Sequence, residues 1–368
     1  MTNSEIYYLA GKCLIMDKNP QFRDEFITLC KNDLVDWLGF VETCSNNFVL
    51  PLIFLKFRNS KVLEYIPEEL QEHLSTVYQA NLQRNKEILW QIQSITALLN
   101  KHNISPLFLK GAGNLIEGVY SDLGERLMGD IDLLVEEKDY VASAEILQNA
   151  GYASYVDIDK VDIKHITHYP PLYHPNFVCD IEVHRALTGY SCSGWYNTKL
   201  INSERQTVRS IEGCYVQSYN HKIIHNFIHG QLAHKGYLYG WVSLRDIYDL
   251  YLFSQHHALT HSLPQIRKRK NRAIAYFAFT KTVFGLDDHF FPLENKSYQS
   301  LKKRHDLSLN SHTYRRFTFL FLNNIFIKFI YSKETKKYVA HRITSAQFYK
   351  NQLSRLKQIF QKPKYQKA

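Results

Sequence analysis

An α+β fold, a mixed β-sheet flanked by N-terminal and C-terminal helical regions, is what this 368-residue sequence predicts. Three observations carry the prediction. A three- and four-residue apolar repeat runs up to about residue 100, a period-two pattern with interspersed helices fills about 100–217, and helical periodicity returns from 218 onward. Two or three folding units suit this length, with boundaries expected at 1–99, 100–217 and 218–368.

Within the first unit, residues 81–103 place Ile88, Leu89, Ile92, Ile95, Leu98 and Leu99 on one helical stripe, and Asn103 ends it. A short strand is expected from Ile104 to Leu109, a helix over 111–120 and a strand over 130–135. The next helix, 138–150, closes at Gly151, since glycine takes the left-handed cap conformation freely. Strands at about 152–157, 164–173 and 177–187 follow, the last two parted by the His174-Pro175-Asn176 turn, and a strand at 214–218 ends the unit. Beyond it the pattern is helical, with a polar break around 286–312.

Composition narrows the function classes. Hydrophobic residues make up 45% of the chain, enough for a sizeable core. The first residues lack the basic start, apolar run and small-residue cleavage site of a leader. The longest apolar stretch, Phe317–Tyr331, is broken by Asn323, Asn324 and Lys328, and falls short of the roughly 20 residues a bilayer span needs. No transmembrane segment is therefore expected. Six scattered cysteines without a C-x-x-C pair fit a reduced, cytoplasmic compartment with neither disulfides nor cysteine-bound zinc. The net charge of +10 is unevenly spread: residues 261–368 carry +18 and the rest −8. Such a basic segment suits nucleic acid or an anionic surface, and a solvated helical face kept for solubility is the plain alternative.

The sharpest chemical signal is Asp130-Ile131-Asp132 at the head of an apolar strand. Alternation points Asp130 and Asp132 to one face and Ile131 and Leu133 to the other. Carboxylates so close repel and raise each other's pKa unless a cation sits between them, and hard oxygens suit Mg2+ or Mn2+. Upstream, an apolar strand leads into Lys110, Gly111 and Gly113 at a helix start, where backbone N–H groups can approach a phosphate chain. Downstream, residues 177–187 put Asp180, Glu182 and His184 on one face, so a neighbouring strand offers a third carboxylate. Two ions about 3.5–4 Å apart on such a set support in-line displacement.

Together Lys110-Gly111, Arg126, Asp130-x-Asp132-x-Leu134-Val135, Gly151-Tyr152 and Glu182-Val183-His184 resemble the uncharacterised bacterial nucleotidyltransferase branch of the polymerase-β-like superfamily. The motifs span roughly 85–250 and include the later segment Leu244–Leu250. The resemblance implies that Asp130, Asp132 and Glu182 are catalytic and hold two Mg2+ ions (Mn2+ being the alternative), with Asp180 the alternative third ligand. It also implies that Lys110, Gly111, Gly113 and Arg126 bind an NTP, whose nucleoside monophosphate passes to an acceptor hydroxyl. In two respects the chain departs from the superfamily's common pattern: Ala112 follows Gly111, and 17 residues separate Ala112 from Asp130. A catalytically silent protein of the same fold, holding RNA or an anionic surface through its basic C-terminal region, is the alternative function.

Two further groups stand out. His221, His225 and His229 recur every four residues, with His234 beyond, and could bind zinc, although the adjacent His-Asp pair of metal-dependent phosphohydrolases is absent. Histidines lining a cleft or packed with satisfied nitrogens are the expected outcome. Arg245 and Asp246 sit on the polar edge of an apolar helix, facing the nucleotide site or paired with each other.

Overall fold

The computed structural model describes residues 1–163, 166–188, 190–266, 269–285, 291 and 294–323. Helices α1 (Asn3–Cys13), α2 (Pro20–Lys31), α3 (Trp37–Asn46) and α4 (Leu50–Asn59) open the chain. The first three begin on side-chain caps: Thr2 with Glu5 as a capping box, Asn19, and Asp36. Helix α5 (Glu68–Asn100) contains the expected stripe, with Ile88, Ile92, Ile95 and Leu99 buried. Its polar side also acts structurally. Asn81 Nδ2 donates to Gly124 O (2.8 Å) and Asn85 Nδ2 to Arg126 O (2.8 Å), which ties down the loop entering the central strand.

The sheet strands are β1 (Leu107–Phe108), β2 (Asp130–Leu134), β3 (Ala153–Ser154), β4 (Leu172–Tyr173), β5 (Asp180–His184), β6 (Gln206–Thr207) and β7 (Tyr215–Val216). Their order is β3-β4-β5-β2-β1-β7-β6. β2 runs parallel to β5 and antiparallel to β1, and β1 is parallel to β7, so the sheet is mixed as expected. Several strands are shorter than their apolar patterns suggest. The stretch expected over 164–173 keeps only Leu172–Tyr173 and a single bridge from His168 to His184. Pro170 and Pro171 lack the N–H donors a ladder needs. Residues 164 and 165 lie outside the described part.

Helices α6 (Lys110–Glu117) and α7 (Tyr140–Asn149) match their expected positions, and Gly151 follows α7 at φ +99°. The short α8 (Tyr190–Ser193) and α9 (Thr198–Ser203) were not evident from periodicity. Helix α10 (Tyr219–Phe227) continues into a π-helical turn, Ile228–Ala233. Then come α11 (Gly236–Tyr239), α12 (Leu244–Ser254), α13 (Leu259–Ile266), α14 (Lys270–Phe284), α15 (Lys296–Asn310) and α16 (His312–Asn323). Helix α15 corrects the expected polar break. Asn295 caps it, accepting from the N–H groups of Ser297 and Tyr298, and Tyr298, Leu301 and His305 bury its inner face. Of the aromatic stretch 317–331, only residues up to 323 are described, and Phe317 is exposed.

Two cores position the site. One sheet face, with Phe108, Ile131, Leu133, Ile181, Val183 and Val216, packs against α5, α6 and α7. Leu107 and Leu134 belong to a larger core built jointly by the N-terminal helices and by α10 and α12–α15. The opposite sheet face, bearing the acidic residues, thus looks towards the C-terminal helices. Contacts between the ends reinforce this joint core. Asn3 Nδ2 donates to Leu309 O (2.9 Å), and buried Tyr7 Oη donates to Val242 O (3.0 Å). All six cysteines are free.

Candidate active site

The β2–β5 register sets Asp130 opposite Asp180, Asp132 opposite Glu182 and Leu134 opposite His184. Residues directly opposite in neighbouring strands share a face. Ligand atoms of Asp132, Glu182 and His184 accordingly lie within 4.8 Å of one another. Asp132, only 2% exposed, accepts on one oxygen from both Lys110 Nζ (2.7 Å) and His184 Nε2 (2.8 Å). Glu182 Oε2 is 3.4 Å from the same His184 nitrogen and 3.9 Å from His168 Nδ1. Half-buried Asp130 lines the same cavity but stands outside the tight group. Asp180 is absent from the cavity wall and accepts a hydrogen bond from Tyr155 Oη (3.2 Å).

Environment divides the two aspartates. Burial alone would raise the Asp132 carboxyl, but the Lys110 charge and the His184 hydrogen bond hold it far below the usual carboxylate range. Burial, reinforced by the Asp132 charge, pushes Asp130 up. The hydrogen bond from His184 lowers Glu182 against the effect of burial. Lys110 therefore supplies the cation that the sequence argument required between like charges.

Lys110 reaches Asp132 from an unusual backbone. It opens α6 at φ +47°, a left-handed conformation that costs a residue with a β-carbon about 1–3 kcal/mol and persists only where surroundings enforce it. Gly111, in the first turn, faces the cavity. Gly113 does something else. A β-carbon there would lie 2.5 Å from Phe108 O, and its N–H donates to Leu109 O (3.0 Å), so it serves the packing of α6 on β1.

The cavity, about 530 Å³, is walled on one side by these sheet residues and on the other by α10, the π-turn and α12. Among the histidines, His225, His229 and His234 line it, while fully buried His221 lies 3.1 Å from Glu204 and does not. Burial keeps His225, His229 and His234 neutral by lowering their pKa values, His229 to about 3. Arg126 also borders the cavity, yet its guanidinium is occupied. Nε and Nη2 donate to Asp249 (3.1 and 2.9 Å) and Nη1 to Leu127 O (2.6 Å). Tyr120 Oη donates to Asp249 as well (3.1 Å), which joins the loop before β2 to α12. Sequence reasoning missed His168, Asp249 and Phe48. His168 lay in a stretch read only as strand, and Asp249 was visible as the second acid of Leu244–Leu250 without a signal for its partner. Phe48 had no local motif.

The donor chemistry fits a divalent cation. Two carboxylates from adjacent strands converge in a concave site, and one oxygen of buried Asp132 already takes the Lys110 ammonium and the His184 imidazole. A family model described as an uncharacterised nucleotidyltransferase matches residues 33–280. The chain belongs to that family. No curated protein and no solved structure matches it. The match runs well beyond the 85–250 stretch marked by the motifs: the span takes in α3, α4 and Phe48, and ends inside α14.

Proposed function

We propose that this nucleotidyltransferase transfers a nucleoside monophosphate from an NTP to an acceptor hydroxyl. The hydroxyl oxygen forms a bond to the α-phosphorus, the bond from that phosphorus to the bridging oxygen breaks, and pyrophosphate leaves. The observation that carries this is the side-by-side placement of Asp132 and Glu182 on parallel strands facing one cavity. Asp130, Asp132 and Glu182 would hold Mg2+ ions (Mn2+ would suit the same oxygens), which when bound would activate the hydroxyl and stabilise charge on the leaving oxygen.

The chain's own groups have distinct parts. Asp132 stays ionised at any working pH because Lys110 and His184 compensate its charge. Lys110, held on Asp132 at 2.7 Å at the start of α6, would neutralise charge on the phosphate chain. The first turn of α6, with Gly111, presents backbone N–H groups to that chain. Arg126 acts through Asp249, holding the loop that delivers Asp130. Glu182 is favoured over Asp180 as third ligand, since Asp180 is engaged by Tyr155 outside the cavity.

Pyrophosphate release, measured with each NTP and a mixture of hydroxyl acceptors, tests the proposal. Asp130→Asn, Asp132→Asn and Glu182→Gln should each cost at least about 100-fold in turnover, the scale of removing one preorganised electrostatic contact. Asp180→Asn should keep most activity. Mn2+ binding followed by electron paramagnetic resonance should weaken in the first three variants alone. Wild-type turnover in both Asn variants at 130 and 132 would sink the proposal.

A further inference from the structure

Four lysine and arginine side chains among the described residues line the cavity: Lys110, Arg126, Lys222 and Arg245. Three are engaged at short range. Lys110 sits 2.7 Å from Asp132, Arg126 grips Asp249, and buried Lys222 contacts Glu117. Arg245 differs. Its nearest carboxylate contact, Asp246 Oδ1, is 3.5 Å from Nε, and that buried nitrogen has no hydrogen-bond partner. A quarter of the side chain stays exposed, so the guanidinium is open to an anion, whose oxygens add the charge-assisted acceptors that the long Asp246 contact supplies poorly.

The surroundings hold this cation in place. The guanidinium lies over the Phe48 ring, 4.9 Å from its centroid. Phe48 stands between α3 and α4 at φ +57°, with 49% of its surface exposed and its ring on the cavity wall. That left-handed conformation closes α3, with the Val49 N–H donating to Cys44 O (3.0 Å), and so fixes where the Phe48 backbone stands. The Arg245 charge is felt by Asp130, so roof and sheet face each other across one space. Burial and the neighbouring Arg126 charge both oppose the Arg245 cation.

The geometry points to Arg245, stacked on Phe48, as the seat of the two phosphates that leave as pyrophosphate, and we propose it as the principal triphosphate ligand. The assignment rests on the nucleotidyl-transfer reading above. Arg245 lines the same cavity as Asp130, Asp132 and Glu182, the residues at which that reading would hold the α-phosphate. A planar fork there matches two phosphate oxygens at once, which a lysine cannot do. Phe48 keeps the fork oriented, and its free face remains exposed to the cleft.

Calorimetric titration of the full chain with inorganic tripolyphosphate, α,β-methylene-ATP and adenosine, in Mg2+, tests this. Arg245→Gln should weaken tripolyphosphate and α,β-methylene-ATP by about 10–100-fold, as expected for loss of one or two charge-assisted hydrogen bonds. Adenosine should bind both proteins alike. Arg245→Lys should recover only part of the loss. Phe48→Leu, at an exposed position that spares the core, should weaken tripolyphosphate by about threefold, and it decides the matter if the Arg245 variants do not fold. Unchanged tripolyphosphate binding in a folded Arg245→Gln, or in Phe48→Leu when that variant must decide, overturns the assignment and leaves nucleotidyl transfer standing. Failure of wild type to bind tripolyphosphate or any α,β-methylene NTP overturns both.

Discussion

Asp132 and Asp130 share a strand face and a proposed role, yet the structure gives them opposite effects on stability. Asp132 closes an ion pair with Lys110 and a hydrogen bond with His184, so Asp132→Asn leaves Lys110 without its counter-charge. In metal-free buffer this should cost about 3 kcal/mol, the low end for a broken buried pair because a quarter of the lysine side chain remains exposed. Asp130 is pushed up by burial and by the charge of Asp132, so Asp130→Asn should leave the melting temperature unchanged or slightly raised. Thermal unfolding of both metal-free variants checks this, and equal shifts of the same sign would refute it. The same-face placement of these carboxylates was legible in the sequence, because alternation is a property of any strand. Lys110 was legible as a cation near phosphate. Its docking on Asp132 was not, because it depends on a left-handed backbone that no sequence period reports.

Among the elements, β2, β5, α5 and α7 were legible because each is long enough for its period to outweigh local noise. The two-residue strands β1, β3, β4 and β7 were legible in place but not in length, and β6 was not legible at all. Their ladders are cut short by prolines, as at Pro170 and Pro171, or by chain reversal, while the apolar pattern runs on. Helix α15 hid behind its charges: Tyr298, Leu301, His305, Ser308 and Leu309 are buried, while lysine, arginine and aspartate side chains crowd the rest of its sequence. The two glycines of α6, indistinguishable as letters, separate by what a methyl group would meet. At Gly113 it would meet the Phe108 carbonyl at 2.5 Å, in a strand held on both sides by β2 and β7. At Gly111 it would meet only the Met128 side chain, whose thioether can rotate away. Gly113→Ala should therefore cost at least about 1–3 kcal/mol, the cost of overpacking, and Gly111→Ala clearly less. Urea unfolding of the two variants gives the comparison. A Gly111→Ala variant as unstable as Gly113→Ala would remove the distinction.

Taken whole, the molecule buries an unusual number of neutral imidazoles. His225 and His305 are buried and pushed down, His305 to about 4, with burial the leading cause, and His229 falls to about 3 for the same reason. For such groups the unfolded chain takes up protons first, near pH 6.5, while the folded state stays neutral. Their contribution is therefore intact above about pH 6.5 and is lost as pH falls towards 4. Three such groups amount to at most about 4.1 kcal/mol per pH unit. His184 opposes them, since burial lowers its pKa but its bonds to Asp132 and Glu182 raise it further. A single opposing group does not offset the rest. The melting temperature should fall by about 5 °C or more between pH 7.5 and 5.0, and no change over that interval would contradict the account. The three-part division expected from sequence conceals how the parts are joined: residues as far apart as Asn3 and Leu309 meet in the core that backs the cleft. Loop closure over such separations is slow, and chains whose contacts span most of their length complete folding late. During synthesis the carboxylate-bearing sheet emerges from the ribosome long before the helices that roof it. A nascent chain halted near residue 217 would expose that acidic face and the apolar rows beside it to chaperones and proteases.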